Sequence, residues 1–140
     1  MTTETIPTLT QGSCQCGKVN IRFLGQPSKV VACHCSECQK LSTSAFSISS
    51  IFNEDDIEIQ GEMKEWSITA DNGNTVTAKF CKHCGNRIYH FNPDKPEEIK
   101  FKLTSLIDQQ PLIPTVHIWT IRKQDWVTIP SSAKVFSKQL

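Results

Sequence analysis

No cysteine falls outside three short clusters in this 140-residue chain, no apolar run approaches a bilayer span, and neither sign of charge dominates. Each absence excludes something. A membrane-crossing helix needs about 20 consecutive apolar residues, so no segment reads as a span. Lys plus Arg number 15 against 14 Asp plus Glu, a formal net charge of +1, which leaves no field to draw a polyanion and counts against nucleic acid as a partner. The opening residues, Met1 to Gln11, lack a basic stretch followed by an apolar one. No secretory leader is read there, and the expected compartment is the cytoplasm, where thiols stay reduced. Seven cysteines cannot all pair within one chain, a second argument against a disulfide framework.

Helical periodicity is scarce too. Alternation of apolar and polar residues marks strands at Val19 to Phe23, Phe46 to Ile51, Ile57 to Ile59, Trp66 to Thr69 and Thr75 to Phe80. Asn72-Gly73, between the last two, is a strong hairpin-turn signal. Further strands are expected at Ile88 to Phe91, Ile99 to Leu103, Thr115 to Ile121 and Trp126 to Ile129, with short helical turns only at Ser36 to Leu41 and Thr104 to Asp108. The length suits one domain with its own core. We place it at residues 11–136, after a flexible segment at 1–10 and before a short tail at 137–140.

The clusters are Cys14-Gln15-Cys16-Gly17, Cys33-His34-Cys35-Ser36-Glu37-Cys38 and Cys81-Lys82-His83-Cys84-Gly85. Thiols one or two residues apart cannot usefully cross-link a fold, but they can converge on one soft metal ion from a tight turn. Spacing alone leaves the partition open. The first and third clusters each give two thiols and end in a glycine, so pairing Cys14 and Cys16 with Cys81 and Cys84 completes a closed tetrahedral structural site. Cys33, Cys35 and Cys38 then stand together, as three ligands with a free position, the pattern of a catalytic zinc. Three thiolates leave that centre with one net negative charge, which weakens it as a Lewis acid and suits an exchangeable sulfur ligand better than zinc hydroxide. Two alternatives stay open: a fourth protein ligand from His34, His83, His90, His117, an aspartate or a glutamate, or a metal-free redox role. His34 would point away from the thiols if its chain is extended.

With Gly12-Ser13-Cys14-Gln15-Cys16-Gly17, Cys33 to Lys40, Phe80-Cys81-Lys82-His83-Cys84-Gly85 and the tail Pro114 to Trp119, Trp126 to Pro130 and Phe136, the chain resembles the glutathione-dependent formaldehyde-activating enzyme family, which includes the centromere-protein-V type. The resemblance implies a mainly β, Mss4-like fold of several coiled antiparallel sheets with zinc knuckles and few short helices. It implies two zinc ions per chain, a structural one on Cys14, Cys16, Cys81 and Cys84, and one associated with activity on Cys33, Cys35 and Cys38. The implied reaction is carbon-sulfur lyase chemistry on a small thiol such as glutathione and an aldehyde such as formaldehyde. One position departs from the family pattern: Thr43 stands where it usually has glycine. If that loop needs positive φ, Thr43 should strain it.

Around this centre Lys40, Lys82 and Arg87 are candidate receivers of glutathione carboxylates, and Ser42, Ser44 and His117 candidate proton carriers. The competing function is a non-catalytic zinc module that binds protein or nucleic acid. Trp66, Trp119 and Trp126 could mark its interface, although aromatics at strand positions read first as core. An exposed edge strand would also allow a homodimer.

Overall fold

A computed structural model describes residues 10–70, 73–102 and 113–139. The expectation of a mainly β chain holds. Its strands are β1 Gln11–Ser13, β2 Asn20–Phe23, β3 Lys29–Cys33, β4 Ser47–Asn53, β5 Ile57–Gln60, β6 Met63–Thr69, β7 Thr75–Cys81, β8 Arg87–Phe91, β9 Glu98–Phe101, β10 Val116–Ile118 and β11 Lys134–Val135. Among the described residues the single α-helix is α1, Ser36–Ser42, with 3-10 turns at Glu54–Asp56 and Thr120–Arg122. No helix among them is long and apolar enough to cross a membrane.

Two sheets form, a three-stranded one in the order β1-β2-β5 and an eight-stranded one in the order β11-β10-β3-β4-β9-β8-β7-β6. The main core lies where they meet. Ile21 and Phe23 from the small sheet, with Val19 just before it, pack with Phe52, Ile88, Ile99 and Phe101 from the large one, each fully buried side chain contributing roughly 1.5–3 kcal/mol of transfer free energy. Cys14 and Cys81 are buried in the same cluster, so the first and third cysteine clusters close this core. Alternation along the strands divides the other side chains. Phe52, Ile99 and Phe101 enter the main core, while Val31, Val116 and Ile118 form a second cluster with Cys33 and Ile51 packed against it.

The expected hairpin is present. β6 and β7 pair antiparallel from Met63 opposite Cys81 to Thr69 opposite Thr75, and the Ala70 N–H donates to the Asn74 carbonyl at 2.8 Å; Asp71 and Asn72 lie outside the described residues. So does the helical turn expected at Thr104 to Asp108.

Four features differ from expectation. Strands β1, β3 and β11 were not foreseen; in β3 this is because Val30, Val31 and Ala32 are all buried and a strand covered on both faces does not alternate. Residues Trp126 to Ile129 form no strand: the Val127 N–H turns back to the Gln124 carbonyl, and both edges of β10 are already taken by β3 and β11. The pairing is not wholly antiparallel, since β10 runs parallel to both of those neighbours. The connections leading into and out of β10 are long enough for such crossovers. Finally, Trp66 is 52 % and Trp126 74 % exposed, contrary to the core reading, while Trp119 is half-buried against the second cluster.

Candidate metal centres and the groove beside them

The two knuckles are built alike. Cys14 ends its turn with its N–H on the Val19 carbonyl and the Gly17 N–H on its own carbonyl, both at 3.0 Å; Cys81 repeats this with Asn86 and Gly85, at 2.9 and 3.0 Å. Gly17 and Gly85 have φ of +80° and +77°, the left-handed region that costs other residues about 1–2 kcal/mol. That conformation turns backbone amides onto sulfur. The Val19 N–H reaches Cys14 Sγ at 3.2 Å, and those of His83 and Cys84 reach Cys81 Sγ at 3.4 and 3.5 Å. The Gln15 N–H donates to Asn86 Oδ1 at 2.9 Å and ties one knuckle to the other.

The four thiol sulfurs of Cys14, Cys16, Cys81 and Cys84 all lie within 4.8 Å of one another. The Cys14–Cys16 and Cys16–Cys81 pairs stand at 3.5 and 3.7 Å, far outside a disulfide bond at about 2.05 Å. They are close to the edge of about 3.8 Å expected for a tetrahedron of sulfurs at zinc distance. The donor set therefore fits a zinc ion. Burial pushes the Cys14 thiol up, but hydrogen bonds from the Val19 N–H and from Cys16, Cys81 and Cys84 bring it down to about 6.

Cys33, Cys35 and Cys38 form a second set within the same 4.8 Å limit. β3 delivers Cys33, the N-cap position of α1 delivers Cys35, and its first turn delivers Cys38, whose N–H donates to Cys35 Sγ at 3.3 Å. Cys35 is the thiol held lowest in the set. Hydrogen bonds from Cys33 and Cys38 lower it, and the N–H groups of Cys38 and Glu37 add to this against burial; Cys33 is pushed up in turn by its bonds to Cys35 and Cys38. These donors also suit a thiophilic ion. No histidine, aspartate or glutamate among the described residues joins either set.

His34 is buried away from the thiols, in extended backbone before the helix, with Nε2 2.8 Å from Nδ1 of buried His117. The Phe46 ring covers the pair, 5.0 Å from His34. His34 Nδ1 has no hydrogen-bond partner among the described residues. In such a pair one ring N–H donates to the bare nitrogen of the other, so the two rings cannot both be protonated. Burial and the charges of His117 and Lys123 accordingly lower the His34 pKa, and burial lowers that of His117. Groups whose folded pKa lies below the unfolded 6.5 contribute stability present above that value, lost as pH falls through the folded one. Melting temperature at saturating metal should thus fall on acidification below about 6.5, with a flatter slope in the His34→Gln/His117→Gln double variant. An unchanged slope would mean the pair does not carry this dependence.

A shallow, open groove of about 580 Å³ lies beside α1, lined by Ser36, Gln39, Lys40, Thr43, Ser44 and Trp126. Gln39 braces it by donating to the carbonyls of His34 and Arg122 at 2.8 and 2.9 Å. Of the three candidate carboxylate receivers, Lys40 alone lines this groove. Lys82 is in an ion pair with Glu62 at 2.9 Å, and Arg87 stacks over Trp66 and Phe80. Of the candidate proton carriers, Ser44 lines the groove, whereas Ser42 Oγ lies 2.7 Å from the Cys38 carbonyl and His117 is in the buried pair.

Thr43, the departure from the family glycine, has φ 49° and ψ 42° and closes α1 with its N–H on the Gln39 and Lys40 carbonyls. The loop does require positive φ, and a β-branched residue supplies it at a cost. Thr43→Gly should therefore stabilise the protein by about 1 kcal/mol, read as a higher urea midpoint with unchanged slope. A lower midpoint would show the position to be unstrained.

Sequence reasoning missed Lys102. Its side chain is only 7 % exposed, and its ammonium donates to Ser49 Oγ at 2.8 Å and Ser47 Oγ at 3.4 Å. Burial lowers its pKa to about 8, while the thiolates of Cys38, Cys33 and Cys35 raise it. In sequence, Lys100 and Lys102 alternate with Ile99 and Phe101 and read as a solvated face; no local signal marks one as buried.

The family model described as glutathione-dependent formaldehyde-activating enzyme matches residues 9–122, most of the chain and all seven cysteines. The chain belongs to that family. Within the formaldehyde-activating enzyme family it is 29 % identical over 129 residues to a Halomonas elongata protein provisionally named glutathione-dependent formaldehyde-activating enzyme, covering 88 % of this chain and 82 % of that one. A crystal structure of a Rhodobacter sphaeroides protein superposes with a TM-score of 0.55 at 22 % identity, over 73 % of this chain and 92 % of the other. At that identity the likeness speaks for the fold alone.

Proposed function

We propose that this family member is a zinc-dependent enzyme of the carbon-sulfur lyase type, joining a small thiol such as glutathione to an aldehyde such as formaldehyde, in a compartment that keeps thiols reduced. The four-thiol cluster would hold a structural zinc. One observation carries the reading: the three-thiol cluster gathers no further ligand among the described residues, whereas the other is closed by four. When bound at the open cluster, zinc supplies a free coordination position and acidity that favours the thiolate of an incoming thiol. In the overall reaction the thiol sulfur bonds to the aldehyde carbon, the carbonyl π bond breaks, and the thiol proton ends on the carbonyl oxygen. Atoms and electrons balance without oxidant or reductant.

The residues of the chain bind and orient. Cys33, Cys35 and Cys38 are fixed by a strand end and a capped helix turn, so the three sulfurs that would hold the ion are in place before substrate arrives. Lys40 presents its ammonium along the groove, where it would meet a carboxylate of a peptide thiol, and Trp126 offers an apolar wall. Exchange spectroscopy by NMR on glutathione and formaldehyde tests the proposal. Catalysed exchange between free thiol and hydroxymethyl adduct is expected with the purified protein. Uncatalysed rates for this and other small thiols would leave a non-catalytic zinc module as the better reading.

A further inference from the structure

The buried ammonium of Lys102 is costly where it stands. A charge taken out of water loses several kcal/mol of solvation unless opposite charge and hydrogen bonds compensate. Its position in the sheet shows where that charge can come from. β3 and β4 pair with Cys33 opposite Ser47 and Val31 opposite Ser49, so the two serines share a sheet face with Cys33, and both lie within reach of Lys102 Nζ, at 3.4 and 2.8 Å. Ser47, the cross-strand partner of Cys33, thus stands between the ammonium and the strand end that delivers the first thiol of the cluster.

Charge arithmetic says what this is for. A divalent ion held by three thiolates carries one net negative charge, and a fourth, exchangeable thiolate would make it two. We propose that Lys102 is the built-in counter-ion of the three-thiol centre, a positioning residue that offsets its negative charge through Ser47 and lets a further anionic sulfur ligand enter. Shielded from solvent, it does not touch substrate. This rests on the reading of that cluster as a metal centre and adds to it the residue that balances its charge.

Native mass spectrometry of zinc-loaded protein under graded chelator, with and without glutathione, tests this through metal retention and thiol uptake. Wild type should hold two zinc ions. In Lys102→Met and Lys102→Gln the four-thiol cluster should keep its ion, while retention at the three-thiol cluster weakens by about 10–100-fold, the usual effect of removing an outer-shell partner, and the glutathione adduct is lost. Lys102→Arg, which keeps the charge, should recover part of both. Two ions held with wild-type affinity in Lys102→Met would overturn the inference. A wild type that holds only one ion would overturn the metal reading beneath it. If Lys102→Met loses both ions, Ser47→Ala decides: weaker retention confined to the three-thiol cluster supports the counter-ion, and unchanged retention overturns it.

Discussion

Cys81→Ser is expected to unfold the protein at ordinary temperature, and stripping metal from the wild type with a strong chelator should do the same. The Cys81 side chain is fully buried in the main core, and its sulfur accepts the N–H groups of His83 and Cys84. Together with Cys84 it draws the β7–β8 turn against the turn that carries Cys14 and Cys16, so one metal ion would join the two sheets at the end of their shared core. Metal binding to such a site is worth on the order of 10 kcal/mol of apparent folding free energy. A domain of this size has about 5–15 kcal/mol in all. Circular dichroism and melting in the presence of chelator would read the loss. A Cys81→Ser protein that melts as wild type does would show that the cluster is incidental to the fold.

Cys35→Ser should do the opposite: keep the fold and lose the chemistry. Cys35 is partly exposed and occupies the N-cap position of α1, accepting the Cys38 N–H. Serine is among the best residues at that position, so the helix should survive and the melting temperature should hardly move. The variant nonetheless lacks the lowest-lying thiol of the three. One zinc of two should disappear from the native mass spectrum, and the thiol-aldehyde exchange rate should fall by about 100-fold or more, since a metal contributes several kcal/mol at the reacting centre. Full activity in Cys35→Ser would remove the three-thiol cluster from the mechanism. Loss of activity with both ions retained would point instead to Cys35 acting directly.

How these two sites could be read before the fold was known follows from how local they are. Cys14, Cys16 and Gly17, like Cys81, Cys84 and Gly85, form each knuckle within one turn, and the need for positive φ at the glycine is a property of that turn alone. Thr43 was legible only through the family resemblance, as the place where glycine is usual; its strain at the end of a seven-residue helix is a finding of the structure. Strand β3 was not legible, because burial on both faces erases the alternation by which strands are recognised. Trp126 to Ile129 misled in the reverse sense: a strand was expected there, but the chain turns back on itself between Gln124 and Val127, and β10 already has a neighbour on each side.

Sequence patterning was thus enough for the mainly β class and the knuckle chemistry, since each follows from residue type and short spacing, whereas the partition of the thiols was left open by spacing alone. Layering was needed for the rest. Which of two alternating lysines is buried beside the thiols, that His34 seeks His117 rather than a metal, and that Lys40 rather than Lys82 or Arg87 faces the groove all depend on which strands become neighbours. Those neighbours are set by the parallel return of β10 beside β3 and by β4 pairing with β9, contacts between segments far apart in the chain that no local pattern encodes.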